Sequence, residues 1–224
     1  MLNAFGVLGL GGLVGTVALG LGSTPPDRVQ GDLVRLIYIH PPLAWTTYVA
    51  FAVTAAFSAL YLWRRNPRHD EIAAASAEVG VVMCALTLAT GSIWGRPTWG
   101  VWWTWDARLT STALLLALFG GYLALRRVVL DPAARARRSA IVALVAVADI
   151  PLVHFSVKLW RTLHQQPTLL RPDPQISGVQ AWTLLLGFVS MTLVYVWLAG
   201  RRARVEALEH VAESRGLELA VASR

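Results

Sequence analysis

The chain of 224 residues is 55% hydrophobic and only 15% charged, and its mean hydropathy is +0.52. Soluble domains carry about 25% charged residues, so this composition excludes a soluble globular protein and predicts a membrane protein. The formal net charge of +7 would suit a nucleic-acid-binding protein, but the positions of the basic residues, given below, argue against nucleic acid as a partner.

Six uninterrupted apolar runs follow one another, each near the ~20 residues that span a hydrocarbon core. The first run lacks the charged flank of a secretory signal and is followed by a Pro-Pro turn, so we interpret it as a transmembrane helix. Membrane helices satisfy their own backbone hydrogen bonds, and we predict an all-α polytopic membrane protein, a bundle of six transmembrane helices. The runs are Ala4–Leu21, Leu36–Trp63, Ile72–Trp94, Leu109–Leu125, Ala140–Val157 and Ala181–Gly200.

Basic residues concentrate after every second predicted helix. Because basic loops stay on the cytoplasmic side, we predict that these segments and both termini are cytoplasmic and that the other three loops face outward. Thirteen of the 20 Lys and Arg lie in these segments: Arg64, Arg65 and Arg68; Arg126, Arg127, Arg135, Arg137 and Arg138; and Arg201, Arg202, Arg204, Arg215 and Arg224.

We expect one membrane domain, residues 1–200, which includes an outward tryptophan-rich loop at 94–108, and then a cytoplasmic helical tail at 201–224. In the tail, Val205, Leu208 and Val211 recur at helical spacing. The tail is therefore either a solvated extension of the sixth helix or a docking site for a cytoplasmic partner. The sequence contains no hydrolytic triad, phosphate-binding loop or metal cluster, so we expect no enzymatic activity.

Aromatic side chains crowd into the second outward loop, around the segment RPTWGVWWTWDARLTS. A short interfacial helix over residues 98–106 would place three of these indoles on one face and make a platform for a flat ligand. The alternative is an aromatic anchor in the lipid interface. The indoles belong to Trp94, Trp99, Trp102, Trp103 and Trp105.

The charged residues in this loop have structural interpretations, and for the two arginines a ligand-binding one as well. Asp106 precedes an apolar helix and is a favourable N-cap. Arg96 and Arg108 flank the tryptophans, where they can clamp ligand carboxylates or pair with Asp106 or lipid phosphate.

Three histidines fall on the outward side: His40, His154 and His164. Imidazoles from two segments beside flat apolar walls suggest haem, whose iron accepts axial histidine nitrogens. His154 lies in an apolar helix and is either a rival second ligand or a core histidine. The only cysteine, Cys84, lies inside the third apolar run, so any haem is held non-covalently. His69 and His210 lie on the cytoplasmic side, outside such a site.

Two carboxylates, Glu78 and Asp149, lie within predicted membrane helices, where they are either functional or protonated structural acids. As polar steps along a path they would suit a permease that carries haem across the bilayer. A haem-b electron-transfer subunit is a further alternative, but it would normally have ligand histidines at both membrane depths.

Three segments carry a resemblance to a known family: YIHPPLAW, the signature WGRPTWGVWWTWDARLTS, and VHFSVKLWRTLHQ. With the six-helix layout they resemble the haem-handling superfamily of cytochrome c maturation, and closely its haem exporter protein C branch, over about residues 30–200.

The resemblance implies a protein that binds haem b at the outer face of the plasma (inner) membrane of a prokaryote and presents it to a periplasmic haem chaperone. It implies further partners: the ATPase and permease subunits of an ABC transporter, a small single-helix subunit and membrane lipid. The family's axial ligands fall on His40 and His164, which favours His164 over His154. The residues implied to contact the porphyrin span Trp94–Asp106, chiefly Trp99, Trp102, Trp103, Trp105 and Asp106.

Overall fold

The computed structural model describes residues 2–164 and 176–222, without the side chains of Ser214 and 216–222. The described residues are mostly helical, with no β-strand among them, and six segments are long and apolar enough to cross a membrane. The predicted all-α polytopic fold with six spans is therefore confirmed. The helices are α1 (Leu2–Gly22), the 3-10 helix η1 (Asp32–Tyr38), α2 (His40–Arg64), α3 (Pro67–Trp99), α4 (Ala107–Val128), α5 (Pro132–Ala146), α6 (Asp149–Leu159) and α7 (Gly178–Ala222).

Helix starts follow local capping chemistry. Asn66 accepts a hydrogen bond from the Arg68 N–H at 3.0 Å, and Asp131 accepts one from the Ala134 N–H at 2.6 Å. A proline occupies the first turn of both α3 and α5, where its missing N–H costs nothing. These caps let two helices begin directly after short turns.

The fifth span consists of two helices, α5 and α6, with a break at Val147 and Ala148. Pro151 lies four residues after Val147, so its ring cannot donate to the Val147 carbonyl and crowds it. That carbonyl instead accepts from the Ile150 N–H at 3.1 Å. The break therefore has a sequence cause and lies at mid-span.

The core packs α2 against α3, and an aromatic stack reaches from α2 to α4. Phe51 of α2 is fully buried and stacks on Phe119 of α4, with ring centroids 3.7 Å apart and an interplanar angle of 6°. The buried side of α3 carries small residues, among them Ala77 and Gly80, and a Cβ built on Gly80 would lie 2.6 Å from the Phe51 ring. Small residues allow membrane helices to approach closely.

The spans alternate in direction, so the loops collect at two ends, which we call the histidine end (His40 and His164) and the arginine end (Arg126 and Arg202). At the arginine end, Arg126 donates two hydrogen bonds to the Asp70 carboxylate, at 2.7 and 3.0 Å. Helix α7 continues without interruption into the tail, and Arg202 pairs there with Glu78 and Glu206. The Arg202–Glu78 pair ties the start of the tail to α3, whereas the Arg202–Glu206 pair lies within α7.

Candidate functional site

A cavity of about 970 Å³ opens at the histidine end, and its walls are largely apolar. Helices α2, α3, α4, α6 and α7 and the segment after α6 contribute to it. The sequence-predicted residues that line it are His40, Trp94, Trp99, Arg108, His154 and His164.

His40 is the first residue of α2, and three residues of α3 contact its ring. Its Nδ1 lies 3.1 Å from the hydroxyl oxygen of Thr90. The Trp94 ring meets it edge-on, with centroids 5.9 Å apart. Gly91 lies against the same ring, because a Cβ there would be 2.9 Å from the His40 Cε1. Nδ1 is thus engaged by the protein, which leaves Nε2 as the nitrogen for a ligand.

His164 follows the end of α6 and is held in a similar way by the tryptophan-rich loop. Its Nδ1 lies 3.2 Å from Oδ1 of Asp106, and the Trp99 ring packs against it with centroids 4.8 Å apart. Burial lowers the pKa of His164, and the attraction of Asp106 opposes this shift only in part. The imidazole is therefore neutral at pH 7, the form that binds metals.

Asp106 caps α4, as predicted, because its Oδ1 accepts from the Arg108 N–H at 2.9 Å. Its Oδ2 accepts from the Leu163 N–H at 2.8 Å. Burial favours the neutral acid, but these N–H groups and the His164 imidazole hold the pKa of Asp106 below its usual value. One ionised, almost fully buried carboxylate therefore joins the start of α4 to the segment that carries His164.

The expected short helix over residues 98–106 is wrong. Helix α3 runs on to Trp99 and ends at Gly100, whose φ of 83° is the left-handed conformation that closes helices. Residues 101–106 form no helix, so their side chains do not follow the i, i+3, i+4 pattern. The indoles divide accordingly: Trp94 and Trp99 line the cavity, whereas Trp102, Trp103 and Trp105 are 60%, 37% and 82% exposed and are not part of its described wall.

The two flanking arginines also differ in place. Arg96 donates to the Gly100 carbonyl at 2.7 Å, which closes the end of α3. Arg108 lines the cavity and donates to the His154 carbonyl at 3.1 Å. Of the two, only Arg108 lies where the described wall of the cavity could meet a ligand carboxylate.

His154 lines the cavity as well, between the rings of Tyr48 and Phe155, whose centroids lie 6.2 and 4.9 Å away. The cavity therefore has three histidines at its wall, and the choice between His154 and His164 as ligand stays a prediction. The remaining residues of the third outward loop, 165–175, lie outside the described part of the chain.

The other titratable candidates lie away from the cavity. His69 is near the start of α3 beside Phe57, at the arginine end. Glu78 pairs with Arg202 at that end. Asp149 is buried in the first turn of α6, and among the described residues its Oδ2 has no hydrogen-bond partner. Their roles remain predictions.

Residues that the sequence did not single out line the cavity, as Gln30 and Gly91 do, or hold one of its histidines, as Thr90 does. Gln30 accepts a hydrogen bond from the Trp94 indole N–H at 2.8 Å, and Thr90 and Gly91 hold His40 as described. The available signal was their spacing, since Thr90 and Gly91 lie one turn before Trp94 on α3. A threonine and a glycine in an apolar helix are too common for that spacing to stand out.

The cavity residues fit haem. The volume is near the top of the roughly 300–1,000 Å³ range of small-molecule and cofactor sites, and the walls are apolar and aromatic. Imidazoles with engaged Nδ1 atoms line it from the start of α2 and from the segment after α6. Haem iron takes such axial nitrogens. The fold and the cavity define a polytopic all-α membrane protein with an imidazole-bearing cavity at one end of its bundle.

Comparison with known proteins gives the family. The model of the family "Heme exporter protein C" matches residues 1–218, so the chain belongs to this family. It is 38% identical over 201 residues to the heme exporter protein C of Bradyrhizobium diazoefficiens, covering 89% of this chain and 76% of that protein. It is 39% identical over 178 residues to that of Escherichia coli K12, covering 77% and 71%. A putative cytochrome c biosynthesis ccmC-like mitochondrial protein of Arabidopsis thaliana is 36% identical over 174 residues, covering 78% and 66%.

Proposed function

We propose that this protein holds haem b non-covalently at the histidine end and presents it for the biogenesis of c-type cytochromes. The observation that carries the proposal is the pair His40 and His164, each with Nδ1 engaged, at the wall of one apolar cavity. The names of its relatives, which refer to heme export and cytochrome c biosynthesis, support the same role.

In this proposal His40 and His164 hold the iron, and Trp94 and Trp99 bury the porphyrin. Arg108 meets a propionate at the cavity wall. The buried position of Cys84 in α3 agrees with a non-covalent cargo, because that thiol does not line the cavity. Haem supplies the iron and the flat surface, and the chain supplies ligands, orientation and exclusion of water.

In the proposal, the three exposed tryptophans lie where haem is presented to its acceptor. Trp102, Trp103 and Trp105 are exposed in the non-helical segment that ends at Asp106. They offer either an aromatic rim for a periplasmic haem chaperone or an anchor in the outer lipid interface. The histidine end then faces outward, with the termini and the arginine end in the cytoplasm.

The proposed partners are a periplasmic haem chaperone, the ATPase and permease subunits of an ABC transporter, and a small single-helix subunit. The membrane domain, residues 1–200, carries the site, and the tail, 201–224, reaches the cytoplasmic partners. An ATP-driven partner promotes release only if it binds the haem-free form better. If the release of the haem-loaded chaperone is unchanged when the ATPase is absent, no ATP-driven partner is needed for this step.

The test is the absorption spectrum of the purified protein beside His40→Ala, His154→Ala and His164→Ala. We expect a bis-imidazole spectrum in the wild type and the His154 variant and its loss in the other two. A protein that stays colourless after production with ample haem would contradict the proposal. Haem movement across vesicles that contain this chain alone would favour the permease alternative, which would use Glu78 and Asp149.

A further inference from the structure

The two proposed ligands differ in the hydrogen-bond partner of their Nδ1 atoms, which is Asp106 for His164 and Thr90 for His40. The Asp106 side chain is 3% exposed and accepts from the Arg108 N–H, the Leu163 N–H and the His164 ring. An ionised carboxylate can only accept hydrogen bonds, so Nδ1 of His164 carries the proton. Nε2 then holds the lone pair that a metal needs.

A carboxylate behind a ligand histidine does more than fix its tautomer. It stabilises positive charge on the ring and raises the basicity of the nitrogen opposite, which strengthens the bond to the metal. The same carboxylate is fixed by two backbone N–H groups, at 2.9 and 2.8 Å. The His164 ring is therefore oriented by a charged group that cannot easily turn away.

His40 has a weaker support. Its Nδ1 faces the neutral hydroxyl of Thr90 at 3.1 Å, and that hydroxyl donates its own hydrogen to the Leu86 carbonyl at 2.8 Å. The Thr90 oxygen is thus free to accept from His40. A neutral hydrogen bond is roughly half as strong as a charge-assisted one, so it adds less to the strength of this ligand.

We infer that the two ligands are unequal: Asp106 is a positioning residue that makes His164 the tighter ligand, and His40 is the ligand that gives way first during handover. This inference rests on the proposed function and deepens it, because it gives the release an order. It also gives Asp106 a role behind the ligand, in place of the porphyrin contact that the family resemblance implies.

The test compares Asp106→Asn with Thr90→Val in the full-length, haem-loaded protein in detergent. Asparagine keeps the cap of α4 and removes the charge, while valine removes the hydroxyl at nearly constant size. Two quantities are measured: the rate of haem transfer to apomyoglobin and the reduction potential of the bound haem. A residue that only caps α4 would not move the potential of a protein whose spectrum stays bis-imidazole.

We expect Asp106→Asn to speed haem loss about ten- to a hundredfold and to raise the reduction potential, because a weaker donor stabilises the ferric iron less. We expect Thr90→Val to speed haem loss about two- to tenfold, with a smaller shift of potential. Asp106→Glu, which restores the charge, should return the potential towards the wild-type value even if it loosens the cap.

Two results would overturn the inference alone: an unchanged potential in Asp106→Asn with haem still bound, or faster haem loss in Thr90→Val than in Asp106→Asn. Wild-type protein that binds no haem would overturn the proposed function, and the inference with it. Haem bound in the wild type and lost in His40→Ala and His164→Ala would leave the proposed function standing whichever variant releases haem faster.

Discussion

The contact between Gly91 and His40 makes the cavity sensitive to a single methyl group. In Gly91→Ala the new Cβ would lie 2.9 Å from the His40 Cε1, whereas ordinary contacts begin at 3.4 Å. The ring must therefore move by about 0.5 Å. A shift of that size along the bond would stretch the 3.1 Å contact between Nδ1 and Thr90 to about 3.6 Å, beyond hydrogen-bonding range.

We expect Gly91→Ala to weaken haem binding about tenfold or more, the usual effect of losing a group that orients a metal ligand. The fold should survive, because alanine is favoured over glycine in a helix by about 1 kcal/mol and offsets part of the crowding. The measurement is a haem titration of the detergent-purified protein, followed at the Soret band, with thermal unfolding of the haem-free form alongside.

The matched control is Gly121→Ala in α4, where an added Cβ meets nothing within 4 Å. It should keep wild-type haem affinity and unfold at the same or a slightly higher temperature. Equal haem affinity in the Gly91 and Gly121 variants would refute the reasoning, because it would mean that the position of the His40 ring does not matter.

Three further substitutions test the division of the aromatic loop and the packing of the bundle. Trp99→Leu should weaken haem binding about fivefold, since a buried aromatic contact contributes about 1 kcal/mol, whereas Trp105→Leu, at a side chain 82% exposed, should leave the titration unchanged. Gly80→Ala places a Cβ 2.6 Å from the stacked Phe51 ring, and this overpacking should destabilise by about 1–3 kcal/mol, seen as a lower Tm than in the α4 control. Arg126→Gln removes the ion-pair partner of the largely buried Asp70 carboxylate, which should lower the free energy of unfolding by about 1–3 kcal/mol. The double variant Arg126→Gln with Asp70→Asn should recover part of the lost Tm.

The site illustrates which candidate residues a sequence can indicate. His40, His154, His164 and the tryptophans were identifiable as candidates because imidazole and indole are uncommon groups concentrated on the outward side, whereas the preference for His164 over His154 came from the family resemblance. The division of the indoles between cavity and surface was not predictable, because it depends on where α3 ends. Helix α3 ends at Trp99, where Gly100 adopts the left-handed conformation. The expectation of one continuous platform failed because it assumed a helix where the chain leaves helical geometry.

Asp106 also shows what local sequence patterns can and cannot predict. Its local role, the cap of α4, follows from an aspartate directly before an apolar run. Its bonds to Leu163 and His164 join residues 57 and 58 positions apart, and no local pattern encodes that distance. Thr90 was invisible for the same reason, because its partner lies 50 residues away on another helix.

The sequence by itself determined the all-α membrane fold, the six spans, the caps of α3, α4 and α5, and the break before Pro151, since hydropathy, capping and the missing proline N–H act within a few residues. Only the tertiary structure decided which side chains share the cavity, which indoles face away from it, and what stands behind each histidine. Those features arise where separate helices pack against one another, and that packing depends on the shapes of many distant side chains acting together.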